Sequence, residues 1–105
     1  MQKLDIETIA MSLVGNSGEA RSLAFEALYE AKKGNLKKAD ELLKESHKKN
    51  LIAHEMQTQL IFNEADGEKV EMSLLMVHAQ DHLMTSLLAR ELIIELIELY
   101  KKLNK

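Results

Sequence analysis

Two imidazoles and a carboxylate fall on consecutive turns of the segment Val77-His78-Ala79-Gln80-Asp81-His82-Leu83-Met84-Thr85. Residues three and four apart share a helix face, so His78, Asp81, His82 and Thr85 form one polar island. At about 100° per residue, Asp81 falls in the middle of a stripe made by Leu74, Leu88, Leu92 and Leu99. A carboxylate among leucines is costly unless something pairs with it or binds it.

Three chemistries fit such an island. A core histidine with one nitrogen bonded explains a lone imidazole better than a cluster of three ionisable groups. His78 and His82 have the i,i+4 spacing of two zinc ligands on one helix. Ala79, however, stands where a His-Glu-x-x-His site needs its general base, which argues against a mononuclear zinc hydrolase. Asp81 is a hard oxygen donor suited to magnesium or calcium; one per chain is too few, but several copies on a symmetry axis suffice. Finally, His78 can act as a nucleophile, because neutral imidazole attacks at ordinary pH and forms covalent intermediates. A histidine that only accepts a phosphoryl group requires neither a triad partner nor a Gly-rich loop, and the chain has no signature of either. His47, beside Lys48 and Lys49, reads as solvated, and His54 adjoins the Ala53/Gln57 seam. Met72, Met76 and Met84 are core filler or part of an adaptable docking surface.

The elements that must hold the island are helical. The chain has 105 residues, no proline, four glycines, 46% apolar and 30% charged residues, and no cysteine. One all-α domain over residues 1–105 is expected, with no disulfide framework, thiolate zinc site or cysteine nucleophile. A net charge of −3 argues against a nucleic-acid grip. The N-terminus lacks signal-peptide order, and no apolar run approaches a membrane span; both point to the cytoplasm.

Helix one is predicted from an Asp5 N-cap to Lys33, weakened at Gly15 and Gly18, where a kink or short break is expected. Ala20, Ala24, Ala27 and Ala31 make a small-residue stripe for close helix approach, and Gly34-Asn35 stops the helix. Helix two is predicted over residues 36–62, with a heptad seam of Leu36, Ala39, Leu43, Ser46, Asn50, Ala53, Gln57 and Leu60. A loop is expected at 63–68. Helix three, 70–103, spans roughly 50 Å at 1.5 Å per residue. Its second apolar face carries Met76, Leu83, Leu87, Ile94 and Ile97. A helix apolar all round is buried all round, and two partner helices cover only part of it, which predicts symmetric self-association through helix three.

The octapeptide His78–Thr85 closely resembles the active-site signature of the lactose/cellobiose-specific enzyme IIA family of the bacterial sugar phosphotransferase system. The likeness extends to Asn16–Ala24, Ala53–Thr58, Ala89–Ile93 and Glu95–Leu99, nearly the whole chain, and the tail is nearer the cellobiose/chitobiose branch than the lactose branch. The resemblance implies three long antiparallel helices assembled as a homotrimeric nine-helix bundle. It implies that His78 is a transient phosphohistidine at Nε2, charged by the histidine-containing phosphocarrier protein and discharged to a cysteine of the cognate enzyme IIB. It also implies that Asp81 meets its symmetry mates on the threefold axis and binds structural Mg²⁺, with Gln80 and His82 flanking the nucleophile. The membrane would be reached only through the transporter complex, and the sugar is left open.

Two rivals remain at this stage. Ala24–Leu43 resembles one helical hairpin of a tetratricopeptide-type adaptor, although such arrays need about three repeats and one is present. A structural oligomer with a metal-binding Asp81 ring is the other. Phosphorylation of His78 separates both from a carrier.

Overall fold

The structure, a computed structural model, describes residues 5–104. These form three helices, α1 (Ile6–Lys32), α2 (Leu36–Ala65) and α3 (Leu74–Leu103), with no strand among them. Asp5 opens α1 as expected. Its carboxylate accepts the Thr8 backbone N–H at 3.2 Å and the Thr8 hydroxyl at 2.6 Å, and these bonds hold its pKa below the usual carboxylate value.

The helix ends follow the glycines. Gly34 adopts φ +90° as the left-handed residue past α1, donating its N–H to Ala31 O at 3.0 Å while Asn35 N–H reaches Glu30 O at 2.9 Å. This paired 5→2 and 6→1 arrangement is a Schellman motif. The same motif closes α2 at Gly67 (φ +95°), whose N–H reaches Glu64 O at 3.1 Å while Glu68 N–H reaches Asn63 O at 2.9 Å. The predicted loop start at Asn63 is thus corrected: Asn63 and Glu64 supply carbonyls from within the helix, and only the next glycine can adopt the left-handed turn. Helix three begins four residues later than predicted, at Leu74, because Ser73 takes an extended conformation and its hydroxyl oxygen accepts the Met76 N–H at 3.1 Å. Val70 lies outside α3 yet packs on the core, which is how its apolar character mimicked a helical position. At 30 residues, α3 spans about 45 Å.

No break interrupts α1 at Gly15 or Gly18. A Cβ built at either position meets nothing within 4 Å. Replacing each with alanine should therefore raise stability by roughly 1 kcal/mol through helix propensity alone, measurable by thermal unfolding. A destabilised Gly18→Ala protein would show that another chain approaches the helix there.

Helix α1 is the centre of the molecule, packing extensively against both neighbours, which pack less extensively on each other. Its alanine stripe, Ala20, Ala24, Ala27 and Ala31, is fully buried. One apolar cluster joins Ala10 and Leu13 to Ala53, Leu60, Met76, Ala79 and Leu83; the other joins Ala24, Ala27 and Ala31 to Ala39, Ile93 and Ile97. The polar middle of the α2 seam is satisfied across helices. Ser46 donates to Ala20 O at 2.7 Å, and Ser86 donates to Asn50 Oδ1 at 3.0 Å. Near the far end, Lys101 meets Asp40 at 3.2 Å.

The body measures 54 × 21 × 16 Å with a radius of gyration of 16.3 Å, whereas a compact chain of this length has about 13 Å. Helices this long cannot cover each other fully. The stripe predicted to need an outside partner is open: Leu74, Leu88, Leu92 and Leu99 are 85%, 56%, 57% and 56% exposed. Contiguous apolar surface of this kind marks an interaction face. No helix of the described residues is long and apolar enough to cross a membrane.

Candidate active site

His78 and His82 stand one turn apart on α3, five and nine residues beyond the Ser73 cap. Their Nε2 atoms are 3.0 Å apart, and the rings meet edge-on with centroids 4.4 Å apart and planes at 79°. A nitrogen–nitrogen contact of this length requires one proton between the two atoms, so one Nε2 donates and the other accepts. The rest of the site assigns the roles. Nδ1 of His82 is buried without a partner among the described residues, and an orphaned N–H is the rarer thing to bury. A bare lone pair at that atom puts the His82 proton on Nε2, directed at His78. His78 then accepts at Nε2 and carries its own proton on Nδ1. His78 is exposed and His82 half-buried, so the first is accessible while the second is held by its surroundings.

Asp81 lies on the outer face of the same turn, exposed and in line with the open leucines. Its carboxylate makes no ion pair among the described residues. The Thr85 hydroxyl is committed to the backbone, donating to Asp81 O at 2.7 Å. No three His, Asp or Glu side chains converge for a metal among the described residues. The donor chemistry of Asp81, a lone hard carboxylate on an apolar face, suits Mg²⁺ only where further copies of the chain add theirs.

Gln80 is turned to the opposite side of α3, away from the imidazole pair. Its Oε1 accepts from Gln57 Nε2 at 2.6 Å, and its own amide reaches Met76 Sδ at 3.5 Å. Within one chain the structure brings together His78 and His82, sets Asp81 beside them, and gives Gln80 to the α2–α3 contact. Gln57 was visible in sequence as a seam residue, but nothing there linked it to Gln80. Met76 is 1% exposed, whereas Met84 and Val77 are 56% and 50% exposed. An adaptable surface near His78 therefore draws on Met84 and Val77; Met76 fills the core. His47 and His54 are exposed on α2 and line a groove between α2 and α3 that includes neither His78 nor His82.

An imidazole whose Nε2 lone pair lies on an accessible turn, tautomer fixed by a neighbouring donor, is suited to nucleophilic attack. Residues 8–101 match the model of the PTS system, lactose/cellobiose-specific IIA subunit family. The chain belongs to that family. The matched span includes the Ala24–Leu43 hairpin that resembled an adaptor repeat, which is here part of the three-helix IIA unit. Among IIA relatives, the N,N′-diacetylchitobiose-specific EIIA component of Escherichia coli K12 is 52% identical over 100 residues, covering 95% of this chain and 86% of that one. The cellobiose-specific enzyme IIA of Bacillus anthracis superposes with a TM-score of 0.93 at 48% identity, over 98% of this chain and 94% of that one. The chitobiose IIA of the Escherichia coli phosphotransferase system, solved in complex with HPr, superposes with a TM-score of 0.84 at 48% identity, over 98% and 100% of the two chains. As an enzyme IIA, the chain is a phosphotransferase-system component, and its relatives include the cellobiose/chitobiose branch.

Proposed function

We propose that this enzyme IIA is a phosphoryl carrier in sugar uptake, with Nε2 of His78 as the acceptor atom. The observation that carries the reading is the 3.0 Å contact between Nε2 of His78 and Nε2 of His82 on an accessible turn. Phosphoryl transfer asks a protein mainly for positioning and for compensation of charge, and the pair offers both. The donor is the histidine-containing phosphocarrier protein, in keeping with the related IIA solved in complex with HPr. As the phosphorus arrives, the His82 N–H leaves the His78 nitrogen and moves to a phosphoryl oxygen. A P–N bond forms at Nε2 of His78 while the donor's P–N bond breaks, and the donor imidazole keeps that electron pair. Discharge reverses the polarity: a cysteine thiolate of enzyme IIB attacks phosphorus, and the Nε2 electron pair returns to His78. A short-lived, modest interface suits a carrier that must bind two proteins in turn. Exposed Met84 and Val77, flanking the island, are apolar contacts available to both partners.

The same reading places three copies about one axis through the open leucine stripe of α3, giving a nine-helix homotrimer. Asp81 from each copy then faces its two mates, and those carboxylates would hold Mg²⁺, which supplies charge neutralisation there and no chemistry on the phosphoryl group. The carrier works in the cytoplasm and meets the membrane only through its transporter.

Incubation with phosphate-charged phosphocarrier protein tests the function. The expected product gains one phosphoryl group, labile in acid and stable in base. No transfer, or a base-labile adduct, contradicts the proposal. His82 has a graded role. Removing one hydrogen bond costs about 1–1.5 kcal/mol, and 1.36 kcal/mol is a tenfold rate, so His82→Phe should slow charging about tenfold without abolishing it. Rapid-quench kinetics measure this; complete loss would make His82 the acceptor, and an unchanged rate would remove it from the site.

A further inference from the structure

Half a turn around α3 from Asp81, a groove of about 220 Å³ opens between α2 and α3, lined by Asn50, His47, His54, Arg90 and Glu91 among others. Arg90 in its wall is twelve residues beyond His78, about 18 Å along the helix. The phosphoryl chemistry makes no use of it.

Two side chains lining this groove, Asn50 and Arg90, carry donors that no described residue answers. Asn50 is 4% exposed. Its Oδ1 already accepts from Ser86 at 3.0 Å, which fixes the amide and leaves Nδ2 as its free end, buried and without a partner among the described residues. Arg90 is anchored by one bond, from Nη2 to Leu43 O at 3.3 Å. Its Nε–H is likewise buried and unpartnered, and no carboxylate pairs with its guanidinium among the described residues. Burial pushes the Arg90 pKa below its ordinary value, the sign of a cation short of compensation. Each orphaned buried donor costs free energy until an acceptor reaches it. The two imidazoles of His47 and His54, seven residues apart on one face of α2, add donors at the rim. Glu91 is the single acid among the lining groups.

We propose that this α2–α3 groove is a binding site for a small oxyanion, a carboxylate or a phosphate, held by Asn50 Nδ2 and Arg90. Such a ligand supplies acceptor oxygens to both orphaned donors and offsets the Arg90 charge. Glu91 limits the negative charge the groove tolerates.

The test is a side-chain NMR titration of the full chain, following the Arg90 Nε–H and Asn50 Nδ2–H signals at fixed pH. Inorganic phosphate and acetate are added in separate arms, with ionic strength held constant by chloride. A saturable shift of both signals is expected. Saturation with phosphate at lower concentration identifies a tetrahedral anion as the preferred ligand, and saturation with acetate at lower concentration identifies a carboxylate. Arg90→Gln should weaken the binding at least tenfold while leaving His78 charging intact; if that variant does not fold, the titration of the unmodified chain decides. No saturable shift with either anion, the result for a groove that holds only water, overturns the proposal.

Discussion

His78→Gln should abolish phosphoryl acceptance while leaving the fold as it is. The side chain is exposed and donates nothing to the core clusters, so glutamine costs little stability. Surface substitutions away from caps and buried networks usually fall within about 0.5 kcal/mol. The amide retains a hydrogen-bond partner for His82 but has no nucleophilic lone pair on nitrogen, so attack on phosphorus stops. Charging by the phosphocarrier protein, followed by intact mass, should fall to background. A Gln variant that still accepts one phosphoryl group would move the reaction to His82 or His54. Circular dichroism identical to the parent protein makes a loss attributable to the missing nucleophile.

Asp81→Leu has the second large effect, and its direction runs opposite to the usual cost of losing a charge. Three carboxylates brought together on an apolar axis repel one another and are poorly solvated. In the proposed trimer the assembly should therefore depend on a cation while Asp81 is present, and chelation of the parent protein should loosen it. Leucine completes the stripe of Leu74, Leu88, Leu92 and Leu99 and removes both the repulsion and the metal requirement. Replacing a buried ionic cluster with apolar side chains is often neutral or stabilising by 1–4 kcal/mol. The variant is expected to sediment as a trimer with or without chelator, and His78 in it should still be chargeable. A monomeric Asp81→Leu protein, or one whose assembly still follows metal, contradicts the axis model.

Much of this was legible in residue types and spacing, for identifiable reasons. The alanine stripe of α1 and the seam of α2 are periodic over many turns, and periodicity survives folding: Ala20, Ala24, Ala27, Ala31, Ala39, Ser46, Asn50 and Ala53 are all buried. The excess of apolar residues on α3 was readable because it exceeds what two partner helices can cover. Boundaries were harder. Val70 looked helical because it packs on the core from outside any helix, and Asn63 looked like a stop although Gly67 is the residue able to take φ +95°. Gly15 and Gly18 weaken a helix in isolation, yet α1 is held on two sides by its neighbours, and tertiary packing outweighs propensity. At the site, the spacing of His78 and His82 foretold their contact. It did not foretell which nitrogens meet, because that depends on the rotamers and on the enclosure of His82 Nδ1. Gln80 shared the octapeptide but not the face; a 100° step per residue had already separated it from His78. The Asn50–Ser86 and Arg90–Leu43 bonds join residues 36 and 47 positions apart, beyond the reach of any local pattern.

The position of the phosphoryl group on the ring decides whether His78 is the carrier. Protein labelled with ¹⁵N in histidine is charged by the phosphocarrier protein, and the two-bond and three-bond couplings of the ring nitrogens to phosphorus and to the ring protons are recorded. One phosphorylated residue is expected, His78, substituted at Nε2 with Nδ1 unsubstituted, together with loss of the Nε2–Nε2 contact with His82. A phosphoryl group on Nδ1 of His78, or on any other histidine, contradicts that assignment.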